Sequence, residues 1–391
     1  LLLDARDSQR HALGHLPGAL RLDGRNHERL LLSEPKSRPV LIYCYHGNAS
    51  QVYAETFADF LYSRDAQAPG VMQVARQTGR RQFHVFGEGF GIDKPGETAQ
   101  ARKIESYMTD AAGRPLLPGM LNFPLYGAFN DAFARGQASA VLGKRIASLA
   151  LTHARPHLMA NFVDNHDVDR FLRAGSQPAL RQALLAMFTL PGIPTLYYGT
   201  EQAFTEQRAS MFAGGWGAGG RDHFDVQAPL YRYIAGAAAL RRTHRLFSRG
   251  TPQLLRDNPN GPGALAYLMV HGQQRALVVF NTAEQPVLLD RLPLGAGVRL
   301  KGLFGVDGSP ADAQADAAGT VNLVLPPRAG QVWLLQAPGR SASATACPTI
   351  QMTDLATAAT AAAPTVVTGD FAVSGTVSLA AANTDWRLVV D

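Results

Sequence analysis

One ten-residue stretch, Phe162 to Phe171, constrains the fold of this chain more than any other segment does. Its apolar start runs directly into the polar residues Asn165, His166 and Asp167. A short buried strand that ends in polar side chains is typical of a parallel sheet whose strand ends build a site, as at the mouth of a βα-barrel. His166 and Asp167 could hold a sugar hydroxyl and stabilise developing positive charge. The alternative is an Asp that caps the next helix beside a loop histidine.

Four strand–helix units surround this stretch. The predicted strands are Phe83–Glu88, Leu121–Tyr126, Leu158–Asn165 and Ile193–Thr200. Segments with helical spacing of apolar residues, including Ala140–Leu151 and Leu180–Phe188, lie between them. The alternation of short apolar strands with helices predicts a parallel α/β sheet. Four such units make half of an eightfold barrel.

Glu88 ends the first of these predicted strands. A carboxyl group at the end of an apolar strand loses hydration, which raises its pKa and suits a general acid that protonates a glycosidic oxygen. The alternative is an ordinary strand-end glutamate paired with an arginine. Its position nevertheless makes Glu88 a candidate catalytic residue.

Three spaced motifs together closely resemble the α-amylase family, glycoside hydrolase family 13. They are Gly87-Glu88, the Phe-Val-Asp-Asn-His-Asp run that ends at Asp167, and Gly192 to Glu201. The resemblance runs from about residue 70 to residue 337. It implies that the four units are the fifth to eighth strands of a (β/α)8 TIM barrel, followed by an antiparallel β-sandwich.

The same resemblance implies a role for each residue of the site. Glu88 takes the position of the acid/base of a retaining glycosidase, and Asp167 takes that of the transition-state stabiliser. His166 takes the neighbouring sugar-binding position, and Asn165 belongs to the same motif. The implied ligand is an α-glucan or a maltooligosaccharide.

The nucleophile of the family comes from the fourth strand, in a Gly-Phe-Arg-x-Asp-x-x-x-His pattern that also helps to bind a nearby calcium ion. A retaining glycosidase needs that carboxylate about 5 Å from the acid. Only Arg21 to His27 imitates the spacing, with Asp23 at the nucleophile position, and no Gly-Phe precedes it. No calcium ligands can be identified. We therefore expect acid and stabiliser without a nucleophile, and no hydrolysis by this chain.

A Gly-rich segment, Ala213 to Gly220, predicts a mobile loop over the barrel mouth. Trp216 lies within it and could stack on a sugar ring. Local packing of a loop tryptophan is an equal alternative.

Cys44 follows the short predicted strand Val40–Tyr43 and opens a tight loop before a helix. Backbone N–H groups and a helix N-terminus lower the pKa of a thiol and stabilise a thiolate or persulfide. The alternative is a buried strand-end cysteine that acts as a small hydrophobe.

Three N-terminal segments, Leu3–Asp7, Gly14–Ala19 and Cys44–Ser50, look like a single-domain rhodanese (thiosulfate sulfurtransferase) over about residues 1–63. The resemblance implies that Cys44 carries a persulfide and that thiosulfate or a persulfide donor is a partner. A rhodanese normally continues with another strand, a Gly-Gly turn and a closing helix, which do not follow here. The sequence therefore predicts a composite fragment.

The predicted domains differ in composition and patterning. After residue 250 short strands alternate with turns, which predicts a small antiparallel β-domain. After residue 337 an Ala/Thr/Ser/Pro-rich run predicts a linker. The predicted domains are a truncated rhodanese-like part (1–68), the second half of a barrel (69–243), a C-terminal β-domain (244–337), and a linker with a partial β segment (338–391).

Composition excludes several classes of protein. A hydrophobic content of 46% and a charged content of 17% indicate a globular chain. The net charge is +6, but no basic run is interleaved with aromatic residues, which argues against nucleic-acid binding. No apolar run approaches the ~18 residues of a membrane span, and two cysteines in different contexts imply no disulfide framework. The amylase resemblance suggests a secreted or periplasmic protein and the rhodanese resemblance a cytoplasmic one, so localisation stays open.

Overall fold

The structure is a computed structural model of the chain. It describes residues 2–13, 15–23, 25–26, 29–30, 33, 41–43, 61–63, 70–80, 84–337, 349–352 and 375–378. Packing of the backbone divides the chain into two compact units, Leu1–Ala337 and Pro338–Asp391. In the second unit, Thr349–Met352 pairs antiparallel with Gly375–Ser378. The first of these strands lies in the run for which composition predicts a linker.

The α/β part of the first unit consists of short strands joined by helices. Its strands are β1 (Leu2–Asp4), β2 (Leu20–Arg21), β3 (Leu41–Tyr43), β4 (Phe86–Gly87), β5 (Gly119–Met120), β6 (Ala160–Asn161) and β7 (Ile193–Pro194). Its helices are α1 (Ser8–Leu13), α2 (Val71–Gln77), α3 (Ala99–Ser106), α4 (Phe123–Phe129), α5 (Ala140–Thr152), α6 (Gln177–Thr189), α7 (Pro229–Thr243) and α8 (Leu246–Arg249). The predicted helices Ala140–Leu151 and Leu180–Phe188 lie within α5 and α6 and are confirmed.

The strand pairs of this part are parallel, as the sequence predicts. β2, β1 and β3 form one sheet in that order, β4 pairs with β5, and β6 pairs with β7. A parallel bridge between Leu121 and Ala160 joins β5 to β6, and β3 lies beside β4. The carboxyl ends of β4 to β7 therefore meet at one edge, where the site residues follow the strands.

The predicted strand Leu121–Tyr126 is wrong, because most of it lies in α4. The side chain of Asn122 accepts a hydrogen bond from the Leu125 backbone N–H at 3.2 Å, and a proline stands in the first turn of the helix. This is a standard helix start. The strand ends earlier, at Met120, where a Cβ added to Gly119 would lie 2.2 Å from the Leu158 carbonyl oxygen. Glycine is what allows β5 to approach its neighbour so closely.

The N-terminal segment and the helices of the α/β part share one apolar core. Leu3 and Leu22 are almost fully buried, and they belong to the same cluster as Met120, Phe123 and Phe162. Buried apolar surface of this kind is the main source of stability in a folded domain. The N-terminal segment is therefore packed onto the α/β part.

The remaining strands of the first unit form the antiparallel β-domain. They are β8 (Thr251–Arg256), β9 (Ala264–His271), β10 (Gln274–Asn281), β11 (Val287–Pro293), β12 (Arg299–Gly305), β13 (Ala313–Gln314), β14 (Thr320–Leu325) and β15 (Gly330–Gln336). Six of them form a sheet in the order β13-β12-β15-β10-β9-β8, while β11 pairs with β14, and residues from both sheets share an apolar core. Across the described residues, no helix is long and apolar enough to cross a membrane.

Candidate active site

Glu88 directly follows β4 and is partly buried. The pKa of its carboxyl group is raised to about 7, mainly because burial removes hydration and further because the Asp167 carboxylate is close, while His166 acts in the opposite direction. A pKa near neutrality suits a group that must donate a proton and then accept one.

His166 and Asp167 lie in the turn after β6 and form a half-exposed pair. Nε2 of His166 is 3.2 Å from Oδ2 of Asp167. This hydrogen bond is the main reason why the pKa of His166 is raised and the pKa of Asp167 is lowered. The structure thus brings Glu88, His166 and Asp167 together, from strands that are not consecutive in the chain.

Asn165 stabilises the backbone of this turn. It is buried, and its Oδ1 accepts hydrogen bonds from the backbone N–H groups of Asp167 (2.8 Å) and Val168 (3.2 Å). Its amide nitrogen is buried and has no hydrogen-bond partner among the described residues. The predicted substrate-binding residue therefore shapes the backbone that presents its neighbours and does not lie at the open face.

A buried carboxylate, Asp164, anchors the start of the turn. Its Oδ1 accepts a hydrogen bond from the Thr200 hydroxyl at 2.9 Å, and its Oδ2 accepts one from the Phe171 backbone N–H at 3.1 Å. The Arg170 guanidinium lies 3.9 Å from the same carboxylate. Desolvation nevertheless raises the pKa of Asp164. The charged ends of the Asp164–Arg170 run are the signal that could have identified this pair in the sequence.

Arg170 is fully buried and connects the turn to the segment after β7. Its Nη2 donates to the Tyr198 carbonyl at 2.7 Å, and its Nε donates to the Glu206 carbonyl at 3.3 Å. The guanidinium carbon lies 4.0 Å from the centre of the Tyr197 ring, within the range of a cation–π interaction. Arg170 therefore holds the two sides of the site in register.

Arg208 contacts the candidate site, and no local sequence signal reveals this. Its Nε donates to the His166 carbonyl at 2.7 Å and its Nη2 donates to Oδ1 of Asp167 at 2.8 Å. Gln207 donates to the same carbonyl at 2.9 Å. Because these partners are about 40 positions apart in the chain, only the fold brings them together.

The structure does not bring Asp23 to this site. The Asp23 carboxylate accepts hydrogen bonds from Arg21 Nη1 (2.8 Å) and from the backbone N–H groups of Arg25 (2.9 Å) and Asn26 (3.1 Å). The pKa of Asp23 is lowered, first by the Arg25 backbone hydrogen bond. A carboxylate with its lone pairs engaged in a local turn is a poor nucleophile, and none of these contacts involves Glu88 or Asp167.

The remaining predicted site residues are Trp216 and Cys44. The Trp216 side chain is 68% exposed, on the loop that follows Arg208. Cys44 lies outside the described residues, so its predicted role stays a prediction. In the part of the chain that the structure describes, no group of three or more His, Cys, Asp or Glu side chains could hold a metal ion.

The raised pKa of Glu88 predicts how pH acts on stability. The folded state binds the Glu88 proton more tightly than the unfolded state, whose pKa is near 4.5, so stability is lost as pH rises from about 4.5 to about 7. Glu88→Gln cannot ionise and escapes this loss. From pH 5 to pH 8 the free energy of unfolding of the native chain should fall by about 1–3 kcal/mol more than that of Glu88→Gln. Urea unfolding at both pH values checks this, and equal pH slopes for the two proteins would contradict it.

Comparison with known proteins agrees with the two resemblances. Residues 1–71 match the rhodanese-like domain family. An α-amylase from Streptomyces lividans is 30% identical over 313 residues, which cover 71% of this chain and 32% of the relative. A cyclomaltodextrin glucanotransferase from Thermoanaerobacterium thermosulfurigenes is 35% identical over 206 residues, which cover 51% of this chain and 26% of the relative.

Solved structures extend the likeness to the fold. The α-amylase from Geobacillus thermoleovorans in complex with acarbose superposes with a TM-score of 0.57 at 22% identity, over 77% of this chain and 60% of that one. An Anoxybacillus α-amylase gives a TM-score of 0.57 at 20% identity, over 76% and 58%. The chain spans about a third or less of the two curated relatives named above. Both resemblances are confirmed: residues 1–71 match the rhodanese-like domain family, and the chain is similar to α-amylases and cyclomaltodextrin glucanotransferases.

Proposed function

We propose that this chain binds α-glucans at the site formed by Glu88, His166 and Asp167, and that by itself it does not hydrolyse them. One observation carries the proposal: the Glu88 carboxyl, with its pKa raised to about 7, lies close enough to His166 and Asp167 for their charges to shift that pKa. The contacts of Asp23 with other described residues, by contrast, are local. The site thus has an acid and a stabiliser, and the candidate nucleophile lies elsewhere.

The chemistry of each group follows from its surroundings. Protonated Glu88 can donate its proton to the glycosidic oxygen as the bond to the anomeric carbon breaks. The Asp167 carboxylate can stabilise the positive charge that develops on the sugar ring, and His166 can donate a hydrogen bond to a ring hydroxyl. Retaining hydrolysis also needs a carboxylate about 5 Å from the acid to attack the anomeric carbon. Without that attack, Glu88, His166 and Asp167 support recognition of the sugar.

The relatives support the class of ligand. Those compared above are an α-amylase and a cyclomaltodextrin glucanotransferase, and one solved structure is an α-amylase complexed with acarbose. Because this chain covers only about a third or less of the curated relatives, their activity does not transfer to it directly. The ligand class transfers more readily, since His166 and Asp167 are present and adjacent.

The test is calorimetric titration with maltohexaose, and with cellohexaose as the β-linked control. We expect the native chain to bind maltohexaose and His166→Ala to bind it at least about tenfold more weakly, because a charge-assisted hydrogen bond to the sugar is lost. The matched control is His271→Ala, which removes an exposed histidine of the β-domain. Equal affinity in His166→Ala and the native chain would place any glucan site elsewhere.

A parallel assay addresses turnover. We expect no release of reducing sugar from maltohexaose by the native chain or by Glu88→Gln. Release by the native chain that disappears in Glu88→Gln would mean that a nucleophile serves this site, and the second half of the proposal would fail.

A second candidate function is supported by the rhodanese-like match over residues 1–71, which includes the Cys44 loop. In this function a Cys44 persulfide would pass its outer sulfur to an acceptor. The test of this candidate is cyanide-dependent formation of thiocyanate from thiosulfate, with Cys44→Ser as the matched variant.

A further inference from the structure

Arg208 maintains its contacts with the site at a cost to its own backbone. Its φ is +61°, in the left-handed region, which is sterically unfavourable for a non-glycine residue. The side chain is 60% exposed, so burial does not offset this cost. Strained residues of this kind persist where surrounding contacts hold them, and here the contacts are with His166 and Asp167.

The arginine also determines how the Asp167 carboxylate is shared. Oδ1 of Asp167 faces Arg208 Nη2 at 2.8 Å, while Oδ2 faces His166 Nε2 at 3.2 Å. With each oxygen assigned to one partner, the carboxylate has a single orientation. Without the guanidinium, the carboxylate would be free to rotate toward the imidazole. The two side chains would then bond to each other and not to a sugar hydroxyl.

Neighbouring contacts fix the loop that carries the arginine. Gln207 donates to the His166 carbonyl beside Arg208, and Arg170 donates to the carbonyl of Glu206. Three consecutive loop residues are therefore joined to the catalytic turn or to its buried support. A side chain that only happened to reach Asp167 from the surface would not need this anchoring.

We propose that Arg208 is a positioning residue, which fixes the orientation of the Asp167 carboxylate and of the His166 backbone and ring for sugar binding. The expected effect on sugar binding rests on the proposed α-glucan site. The effect of Arg208 on Asp167 and His166 can be measured without a sugar.

The test variant is Arg208→Asn, because asparagine tolerates the left-handed backbone and removes only the guanidinium. Arg208→Gly is a second variant in which the backbone strain is fully relieved. The matched control is Arg173→Asn, since Arg173 is a similarly exposed arginine whose ion pairs among the described residues are with two exposed carboxylates, at 3.8 and 3.9 Å.

The first readout is the titration midpoint of the His166 ring, followed by NMR without sugar. The charged groups around this ring are Asp167, Glu88 and Arg208, and of these Arg208 opposes protonation. We expect the midpoint to move up in both Arg208 variants and to stay unchanged in Arg173→Asn. An unchanged midpoint in both Arg208 variants would overturn the proposal.

The second readout is the affinity for maltohexaose. We expect both Arg208 variants to bind about five- to tenfold more weakly than the native chain, the effect of one misplaced charge-assisted hydrogen bond. Unweakened binding by the variants would overturn the positioning role while the α-glucan site stands. A native chain that does not bind, together with a shifted His166 midpoint in the variants, would refute the proposed function and support the positioning of the pair.

Discussion

Arg170→Met is expected to lower the free energy of unfolding by about 3–5 kcal/mol, the cost of removing one partner from a buried ion pair. Arg170 is fully buried beside the Asp164 carboxylate, at 3.9 Å, and methionine would leave that carboxylate with two neutral donors. The carbonyls of Tyr198 and Glu206 would also lose their donor. Urea unfolding at neutral pH measures the loss.

The pH dependence of this loss identifies its cause. Burial already raises the pKa of Asp164, and removal of the arginine should raise it further. The deficit of Arg170→Met should therefore shrink as pH falls, because Asp164 can then take up a proton. Arg173→Met is the control, with an exposed guanidinium and a loss below about 1 kcal/mol. If Arg170→Met loses no more unfolding free energy than this control, the Asp164–Arg170 ion pair does not stabilise the fold.

Leu3→Ala is expected to cost about 2–5 kcal/mol and to loosen the strands that carry Glu88. Leu3 has no exposed surface and shares its cluster with Met120 and Phe162. A cavity at Leu3 would therefore weaken the core beneath β5 and β6. Hydrogen exchange of the Leu121 amide, which donates to the Gly87 carbonyl at 2.9 Å, reports on this region directly.

The matched control is Leu13→Ala in the same N-terminal segment, because Leu13 is 83% exposed and should contribute little. We expect faster exchange at Leu121 in Leu3→Ala than in Leu13→Ala. If Leu3→Ala leaves that amide as protected as in the native chain, packing of the N-terminal segment does not stabilise the strands beside Glu88.

Segments with long apolar periodicity were predictable from the sequence. The pattern of Leu230 to Arg242 predicts an amphipathic helix, and α7 covers it. The alternation of apolar residues after residue 250 predicts strands at Ala264–Met269 and Ala276–Phe280, and these lie inside β9 and β10. The strand β12 was missed because Lys301 and Gly302 interrupt its alternation of apolar residues. Leu121–Tyr126 was misassigned because its apolar content outweighed the capping Asn122.

The site was predictable where it depends on strand ends and unpredictable where it depends on distant contacts. Glu88 ends one predicted strand and His166 and Asp167 follow another, and parallel strands deliver their ends to one edge. Arg208 lies in a polar loop whose pattern is that of any solvated segment. Its contact with Asp167 depends on the path of the chain after β7, which local sequence does not encode.

The most direct test of the central claim follows the imidazole of His166 by NMR while maltohexaose is added to protein with labelled histidines. We expect a saturable shift of the His166 resonance with maltohexaose and none with cellohexaose, because the proposed site lies between Glu88 and the His166–Asp167 pair. A His166 resonance that stays still at saturating maltohexaose would contradict the proposed site, whether or not the sugar binds elsewhere on the chain.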